Sequence, residues 1–573
     1  YFMIPAGKSF LRLPDGAGPD GKFKGIRFST LQAGQNAVQL FVEVFFHKGS
    51  KYTNAWAVAS DGKRTLLTPT PVKEDDYEYD LYKRATALYS TCASDGYELL
   101  RFGRILSTPV TLATPAARAT WMRVTFAAGQ EGYIDMSDES IVKLSDADFS
   151  TFMGWQKIVE GNTPFSADGL CDIDALKKLL KDVNDHQTPE EAALRQENKE
   201  EDVLAQYVKS NDSVREQLRG FICEAPSEWD SSQNEARYSK LKNEGEFYHG
   251  DEAGYAAFTK RLKSFQFWDK TGLAPGQQLW YFHPLAFIRH FRKCGWLSHS
   301  ELAGTFPRYL YYSNGGSPIS AITMNNSTYM LTKGLAKARI RNYVVPLNQT
   351  IQKYFGSDAR RIAIFLAQIL LETAQWRDLG GTRRLMHEWG FGKFSAANPA
   401  TKFYGPFYGR GTMQLTWAGN FAEYGKFRAL AEHSDTYVER MPNTDARITE
   451  TSEHYTFNPR NGGTLMRWSP RFDPDRVAEE PSLACDSGGF YWVSKPYSLG
   501  ININRVADKQ YSADNVGLIN RLVNGGFNGY NERQAYTVFI MNELWDAMPD
   551  YFPELISPAR RATIRPDLSR CGD

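Results

Sequence analysis

The run IAIFLAQILLET, residues 362–373, constrains the fold more than any other part of the chain. Ile362, Phe365, Leu366, Ile369 and Leu370 recur at helical spacing, which predicts an amphipathic or fully buried helix. Glu372 arrives where the apolar run ends. Burying a charged carboxylate is costly, so such a position favours the protonated carboxyl, the form in which a general acid must start. Taken alone, a Glu at this place also reads as a solvated helix end.

The residues that follow sharpen the choice. Glu388 lies in HEWGFG, a Gly- and Trp-rich loop poor in helix signals. A second carboxylate facing the first can activate a water as general base. Next comes FYGRGTMQLTWAGNF, residues 407–421, where two glycines around Arg410 predict a tight backbone turn. Gln414, Thr416 and the neighbouring aromatic groups can bind sugar hydroxyls and acetamides. Downstream, RLVNGGFNG places Asn524 before two glycines, with Arg533 beyond.

These three ordered motifs resemble glycoside hydrolase family 19, the chitinases and related phage-type endolysins. LAQILLET is similar to the family's catalytic-helix motif, FYGRGTMQLTWAGNF to its YYGRGP-I-QLS segment, and RLVNGGFNG to its C-terminal NGG motif. The resemblance covers roughly residues 335–550. It implies Glu372 as catalytic acid, with Tyr408, Arg410, Gln414, Thr416, Asn420, Asn524 and Arg533, the family's arginine, toward substrate. Two departures stand out. Leu371 occupies the place of the usual His, and the loop that carries the second Glu in plant chitinases is not reproduced. Glu388 is the candidate base by proximity, with Asp378 as runner-up.

At 573 residues the chain exceeds one compact domain. Residue patterning predicts a multidomain α+β protein, with a β-rich region at 1–150 and a helical region at 151–330; the family resemblance implies a mainly α, lysozyme-like hydrolase domain at 331–573. A net charge of +1 excludes a whole-molecule polyanion binder, and no nucleic-acid partner is expected. Charge is nonetheless uneven: residues 331–430 hold 15 Lys and Arg against 5 Asp and Glu. That basic segment suits an anionic polymer, or is simply a solvated face. No run of about 18 apolar residues predicts a membrane span. No signal peptide is visible, and a chain opening on Tyr1 is expected to have native residues upstream. The six cysteines are scattered, without zinc-knuckle spacing. Cys485 and Cys571 could pair if the tail folds back.

In the first region, NAVQLFVEVFFH, AWAVAS, WMRVTFAA and EGYIDM alternate or run apolar as strands do. EGYIDM and the following VKLSDADF resemble the closing strands of bacterial SH3-like modules. His47, with Asp75, Asp76 or Glu78 as conceivable neighbours, reads more readily as a strand-end surface His than as a metal ligand. In the second region Asp172 and Asp212 or Ser213 are expected helix caps, and Pro189 a first helical residue. DVNDHQTPEE lacks the Gly and terminal Glu of a calcium loop. WYFHPLAFIRHFRKCGWLS predicts one helix from Trp280 onward, with His283 and His290 two turns apart. That motif resembles a segment of modular cell-wall-degrading effectors of bacterial type VI secretion systems. Residues 314–328 read as a linker. In SGGFYWVSK, Tyr491 and Trp492 are candidates for a cleft wall or for core.

The combined expectation is a lysozyme-type glycosidase acting on peptidoglycan and working without a cofactor. It would be a secreted antibacterial effector, acting in the periplasm of a target cell, with a secretion-apparatus delivery protein and a cognate immunity protein as partners. A chitinase is the alternative on the same motifs. A second alternative adds a zinc amidase in the N-terminal half, which the absence of HxH or HxxxD-type clusters disfavours.

Overall fold

The computed structural model describes residues 1–145, 156–159, 163–164, 171–180, 189–197, 200–293, 295–311, 330–376, 386, 388, 407–434, 437–438, 447–448, 451, 453–469, 471–495, 502–509, 511–526, 528–544, 555–556, 563–564 and 568–572. Asp378, the 314–328 stretch, most of DVNDHQTPEE and most of the tail after Pro553 lie outside them. The protein is mixed α+β. Its contacts divide it differently from the three sequence regions: residues 1–144 and 291–573 form one compact unit, and 145–290 the other.

The larger unit begins with a sheet built on the hairpin Gln39–His47 and Ser50–Val58, in register from Gln39 opposite Val58 to His47 opposite Ser50. Phe2–Ile4 pairs with the first of these strands and Val142–Lys143 closes that edge. Trp121–Ala127 and Gln130–Asp135 make a separate hairpin. Alternation does its ordinary work here: Ile4, Leu40, Val42, Ala55, Val124 and Ile134 face one shared core.

Two helices interrupt this otherwise β-rich region, Leu81–Leu88 and Ala93–Phe102, the second ended by Gly103 at φ 71°. Both leave the sheet's core. Tyr77, Leu81, Leu88 and Leu99 join a second core that includes Ile351, Phe365, Ile369, Trp492 and Phe539. The segment around residues 77–107 is therefore built into the C-terminal helical body.

At the centre of that body lies Ala359–Glu372, with every residue from Arg361 to Leu370 buried. It packs most extensively on Tyr530–Leu544, while Val344–Tyr354 packs on Pro481–Ser494. Asp358 caps the central helix, accepting from the backbone N of Arg361 at 2.9 Å. Asp358→Ala is expected to cost about 1 kcal/mol of stability without altering the position of Glu372, fourteen residues on; urea unfolding measures it.

In the smaller unit Gln156–Ile158 runs parallel to Phe221–Pro226, which pairs antiparallel with Gln278–Phe282. Its helices are capped largely as expected. Asp172 accepts from the N of Asp174 and Ala175, and a helix starts at Pro189. Asn211, and not Asp212 or Ser213, caps Asp212–Leu218. WYFHPLAFIRHFRK is not one helix. Trp280 to Phe282 complete a strand, and the helix Pro284–Lys293 starts at the proline, whose fixed φ and missing N–H suit a first helical position.

The open question of a Cys485–Cys571 pair is answered by their positions. Cys485 is wholly buried within Pro481–Ser494, Cys571 donates toward the carbonyl of Phe306 at 3.3 Å, and both are free thiols. No helix among the described residues is long and apolar enough to cross a membrane.

Candidate functional site

Glu372 is the last residue of the central helix, and its carboxylate meets the guanidinium of Arg533. Arg533 is 1% exposed and reaches two places on the facing helix, Glu372 through Nη2 and the Oε1 of Gln368 through Nη1. Gln368 and Glu372 are four residues apart, one turn on one face, so a single planar guanidinium spans both. Glu372 keeps 16% of its side chain exposed. It is thus anchored from behind and open on one side.

The chain leaves that helix abruptly. Thr373 caps it, and Ala374, Gln375 and Trp376 all take left-handed φ values of 47°, 60° and 54°. The N–H of Gln375 returns to the carbonyl of Leu370 at 2.7 Å, and that of Trp376 to Oγ1 of Thr373 at 3.1 Å. Three consecutive non-glycine residues in this region are costly. Burial of Trp376 in the core holds the turn in place.

The Gly-Arg-Gly turn forms as expected. Arg410 and Leu415 exchange backbone hydrogen bonds at 3.1 and 2.8 Å, with Gly411 at φ 77° and Gln414 at φ 53° between them. Gly411 abuts Ser487 and Ala484, and Thr412 Oγ1 donates to the carbonyl of Ala484 at 3.0 Å, which docks the turn on Pro481–Ser494. A short ladder then fastens Glu388 to this turn. Its N–H donates to the carbonyl of Gly409 at 2.8 Å, Gly409 N–H donates to the Glu388 carboxylate at 3.0 Å, and Gly411 N–H donates to the carbonyl of Met386 at 2.9 Å. The candidate base rests on a backbone platform that also orients Gln414, whose Nε2 donates to the carbonyl of Gly411 at 2.9 Å.

The remaining sequence candidates separate into surface and interior. Gln414 and Thr416 are half-buried, and Asn524, the last residue of Ala513–Asn524, is exposed. Asn420 is 6% exposed; its Nδ2 donates to the carbonyl of Thr416 at 2.7 Å and its Oδ1 accepts from Nζ of Lys495 at 3.2 Å. Tyr408 and Arg410 are both fully buried. Arg410 pairs with Asp475 at 2.7 Å and stacks 3.7 Å from the centroid of the Tyr408 ring. That placement makes them supports of the turn, where the sequence reading put them against substrate. Leu371, in the place of the family's His, packs against the turn at Gly529, where an added Cβ would lie 2.2 Å from its Cδ2.

One group was missed by the sequence reading. The ammonium of Lys495 lies 4.7 Å from the ring centroid of Tyr491 and holds Asn420. Burial lowers its pKa against the nearby Glu423, and burial likewise raises Glu423 against Lys495. Tyr491 links this pair to Glu372. Its hydroxyl is pushed up by burial and by the charge of Glu372, against Arg533, and donates to the carbonyl of Val523 at 3.1 Å. Trp492, one residue on, faces the other way: wholly buried, it bonds Oδ1 of Asn504 through Nε1 at 2.8 Å and packs edge-on to Phe355 and Phe365. Of the two aromatic candidates only Tyr491 belongs to the site.

Among the described residues no group of three His, Cys, Asp or Glu side chains is placed to hold a metal ion. His47 is exposed at its strand end. Asp75 pairs with Lys73, Asp76 with Arg505, and Glu78 with Arg101 and Arg361. His283 accepts weakly from the N–H of Ala286 at 3.4 Å, and the side chain of His290 lies outside the described residues.

No protein-family model matches the chain, and no curated protein matches it. Among solved structures, chitinase C from Streptomyces griseus HUT6037 is 18% identical over 36% of this chain and 90% of its own, with a TM-score of 0.23. A mutant of chitinase C is 17% identical over 43% of this chain and 92% of its own, with a TM-score of 0.23. A bacterial family 19 chitinase is 17% identical over 43% and 94%, with a TM-score of 0.21. Each likeness spans less than half of the chain, and the functional reading below rests on the residues themselves.

Proposed function

We propose that the chain is a glycoside hydrolase that cleaves the β-1,4 glycan strands of peptidoglycan by acid–base catalysis. One observation supports this most directly: Glu372 ends a buried helix with its carboxylate gripped by Arg533 and one side open, while Glu388 is fastened to the Gly409–Gly411 turn. Both carboxylates are held by structure that does not depend on substrate.

In this reading Glu372, protonated, gives its proton to the leaving glycosidic oxygen. Glu388 takes a proton from a water on the opposite face of the sugar as the water's oxygen attacks the anomeric carbon. The anomeric configuration inverts, and the two carboxyl groups must stand roughly 6.5–9.5 Å apart to admit the water. Gln414, Thr416, Asn420 and Asn524 hold the N-acetyl sugar in register, which lowers the barrier by positioning. No metal or organic cofactor takes part.

Lys495 favours peptidoglycan over chitin, because only the former carries carboxylates. Lys495→Met is expected to raise KM for peptidoglycan several-fold, a loss of about 1 kcal/mol, with kcat little changed. An equal effect on neutral chitin oligomers would remove the charge argument. The deciding experiment is mass spectrometry of soluble products from purified peptidoglycan. Disaccharide muropeptides support the reading. Release of chitin oligomers with no action on peptidoglycan transfers it to a chitinase, and free stem peptides reveal an amidase.

On the same reading the protein is a secreted antibacterial effector active in the periplasm of a target cell. A delivery protein of the secretion apparatus carries it, and an immunity protein that covers the Glu372 cleft guards the producer. Co-expression with the neighbouring open reading frames tests the last point: none of them blocking hydrolysis would count against it.

A further inference from the structure

A cavity of about 80 Å³ lies in the N-terminal part of the larger unit, with Lys51, Glu74, Tyr77, Arg84, Arg123 and Tyr133 among its lining residues. Its charges are not balanced. Lys51 is buried and its Nζ lies 2.9 Å from Oε2 of Glu74. Burial works against that ammonium, but Glu74 outweighs it and holds the Lys51 pKa above its ordinary value, so both partners stay charged. Nε of Arg123 donates to Oε2 of Glu131 at 2.9 Å. Lys24, also on the wall, gives its Nζ to the carbonyl of Leu88 at 2.9 Å.

Arg84 differs from these three. On the helix Leu81–Leu88, its guanidinium lies 4.4 Å from the ring centroid of Tyr77 and close enough to Glu74 for its charge to act there, but among the described residues the guanidinium makes no hydrogen bond; its Nε is buried and unsatisfied. Lys51 approaches the same ring, at 4.5 Å. Tyr77 itself is 5% exposed, and its ring is shared by the two cations. A buried hydrogen-bonding group without a partner costs about 1–3 kcal/mol, and a guanidinium presents a planar fork that matches a carboxylate. Phe23 and Phe28 supply apolar wall. Apolar walls with a few convergent polar groups are the usual make-up of a small-ligand site.

We propose that this cavity binds the carboxylate of a small organic acid or of a peptide C-terminus. Arg84 grips the carboxylate, the Tyr77 hydroxyl donates to it, and the ligand's apolar part lies on Phe23 and Phe28. The planar fork of Arg84 matches one carboxylate, and the nearby charge of Glu74 disfavours a doubly charged ligand, which favours a carboxylate over a phosphate. The site is separate from Glu372 and does not depend on the glycosidase reading.

Calorimetry on the full chain, in a chloride buffer, tests this with four probes: butyrate, the dipeptide Ala-Ala, its C-terminal amide, and inorganic phosphate. Ligands of this size bind at about millimolar Kd. At least one carboxylate is expected to bind and the amide is not. Binding of butyrate alone identifies a free acid as the source, and binding of Ala-Ala identifies a peptide end. Arg84→Met is expected to weaken binding at least tenfold and Arg84→Lys, which keeps the charge but loses the fork, by an intermediate factor. Glycan hydrolysis is unchanged in both. Should Arg84→Met fail to fold, Arg84→Lys carries the test. The proposal fails if neither carboxylate binds, if the amide binds as well as the acid, if phosphate binds more tightly than both carboxylates, or if the Arg84 variants bind like the native chain. The last result would leave Arg84 a purely structural partner of the Tyr77 ring.

Discussion

Glu372→Gln is expected to lower the rate of glycan cleavage by about three orders of magnitude, the middle of the range for losing a general acid, with the fold intact. The substitution is chosen for its shape. The amide oxygen of Gln still accepts from Nη2 of Arg533, so the guanidinium that spans Gln368 and Glu372 keeps both partners. Only the transferable proton is lost. The effect should therefore fall on kcat, with KM near its native value, and the thermal midpoint should move by no more than a few degrees. Product analysis of digested peptidoglycan measures the first, and a thermal scan the second. Glu388→Gln provides the companion test: an inverting mechanism needs both carboxylates, so it too should lose most of kcat. Near-native clearing by Glu372→Gln would sink the assignment. Near-native clearing by Glu388→Gln would move the base elsewhere, with Asp378 next in line.

The contrast between neighbouring residues shows what the sequence could and could not convey. The central helix was legible because five apolar residues at helical spacing leave few alternatives, and all five are buried. The Gly-Arg-Gly turn was legible because Gly411 takes a left-handed φ that suits glycine. The role of Arg410 was not. A motif names a residue without saying whether its side chain faces the ligand or the scaffold, and here Asp475 takes it inward. Tyr491 and Trp492 differ by about 100° around one helix, and only tertiary packing shows which of them meets the site. Lys495 gave no signal at all, since a lone lysine after WVS reads as a solvated helix end. The strand at Trp280 reads equally as helix because three successive large apolar side chains fit either period. The proline at 284 was the available clue. Most consequential was the reading of residues 1–150 as a separate β-rich module. Leu81–Leu88 and Ala93–Phe102 are short, and nothing local reveals that their apolar faces are covered by residues of the C-terminal helical body.

That long-range pairing leads to the second large effect: Arg361→Met is expected to destabilise the larger unit by about 3–5 kcal/mol, as breaking a buried ion pair from one side does. Arg361, on the central helix, forms a two-pronged pair with Glu78 at 2.9 and 2.9 Å, and its Nε donates to Oδ1 of Asp508 at 2.6 Å. Arg101 shares Glu78 at 2.8 Å, and the Tyr79 hydroxyl donates to Asp508 at 2.6 Å. A second buried knot repeats the theme, with Lys353 3.2 Å from both Glu98 and Asp486. Burial alone would raise the Glu78 carboxyl, but Arg101 and Arg361 outweigh it and hold the pKa at about 2, below its ordinary 4.5. The sign follows from that depression. Stability from Glu78 is fully present above about pH 4.5 and is lost as pH falls from there toward 2, a contribution of about 3 kcal/mol by linkage. Urea unfolding across this window should show native stability falling steeply with acid. Arg361→Met should start lower and fall less, and Arg361→Met with Glu78→Gln should recover part of the loss, since the two residues act as one pair. A flat native profile between pH 5 and 2.5, or a variant profile parallel to the native one, would contradict this account. If it holds, residues 331–573 expressed alone leave Arg361 and Lys353 buried without Glu78 and Glu98, and expose the core faces that Leu81, Leu88 and Leu99 cover. Such a fragment is expected to be unfolded and inactive, whereas the unit formed by 1–144 with 291–573 retains the Glu372 site. The helix that carries Glu372, the proposed acid, is thus held at Arg361 by the N-terminal segment and at Glu372 by Arg533.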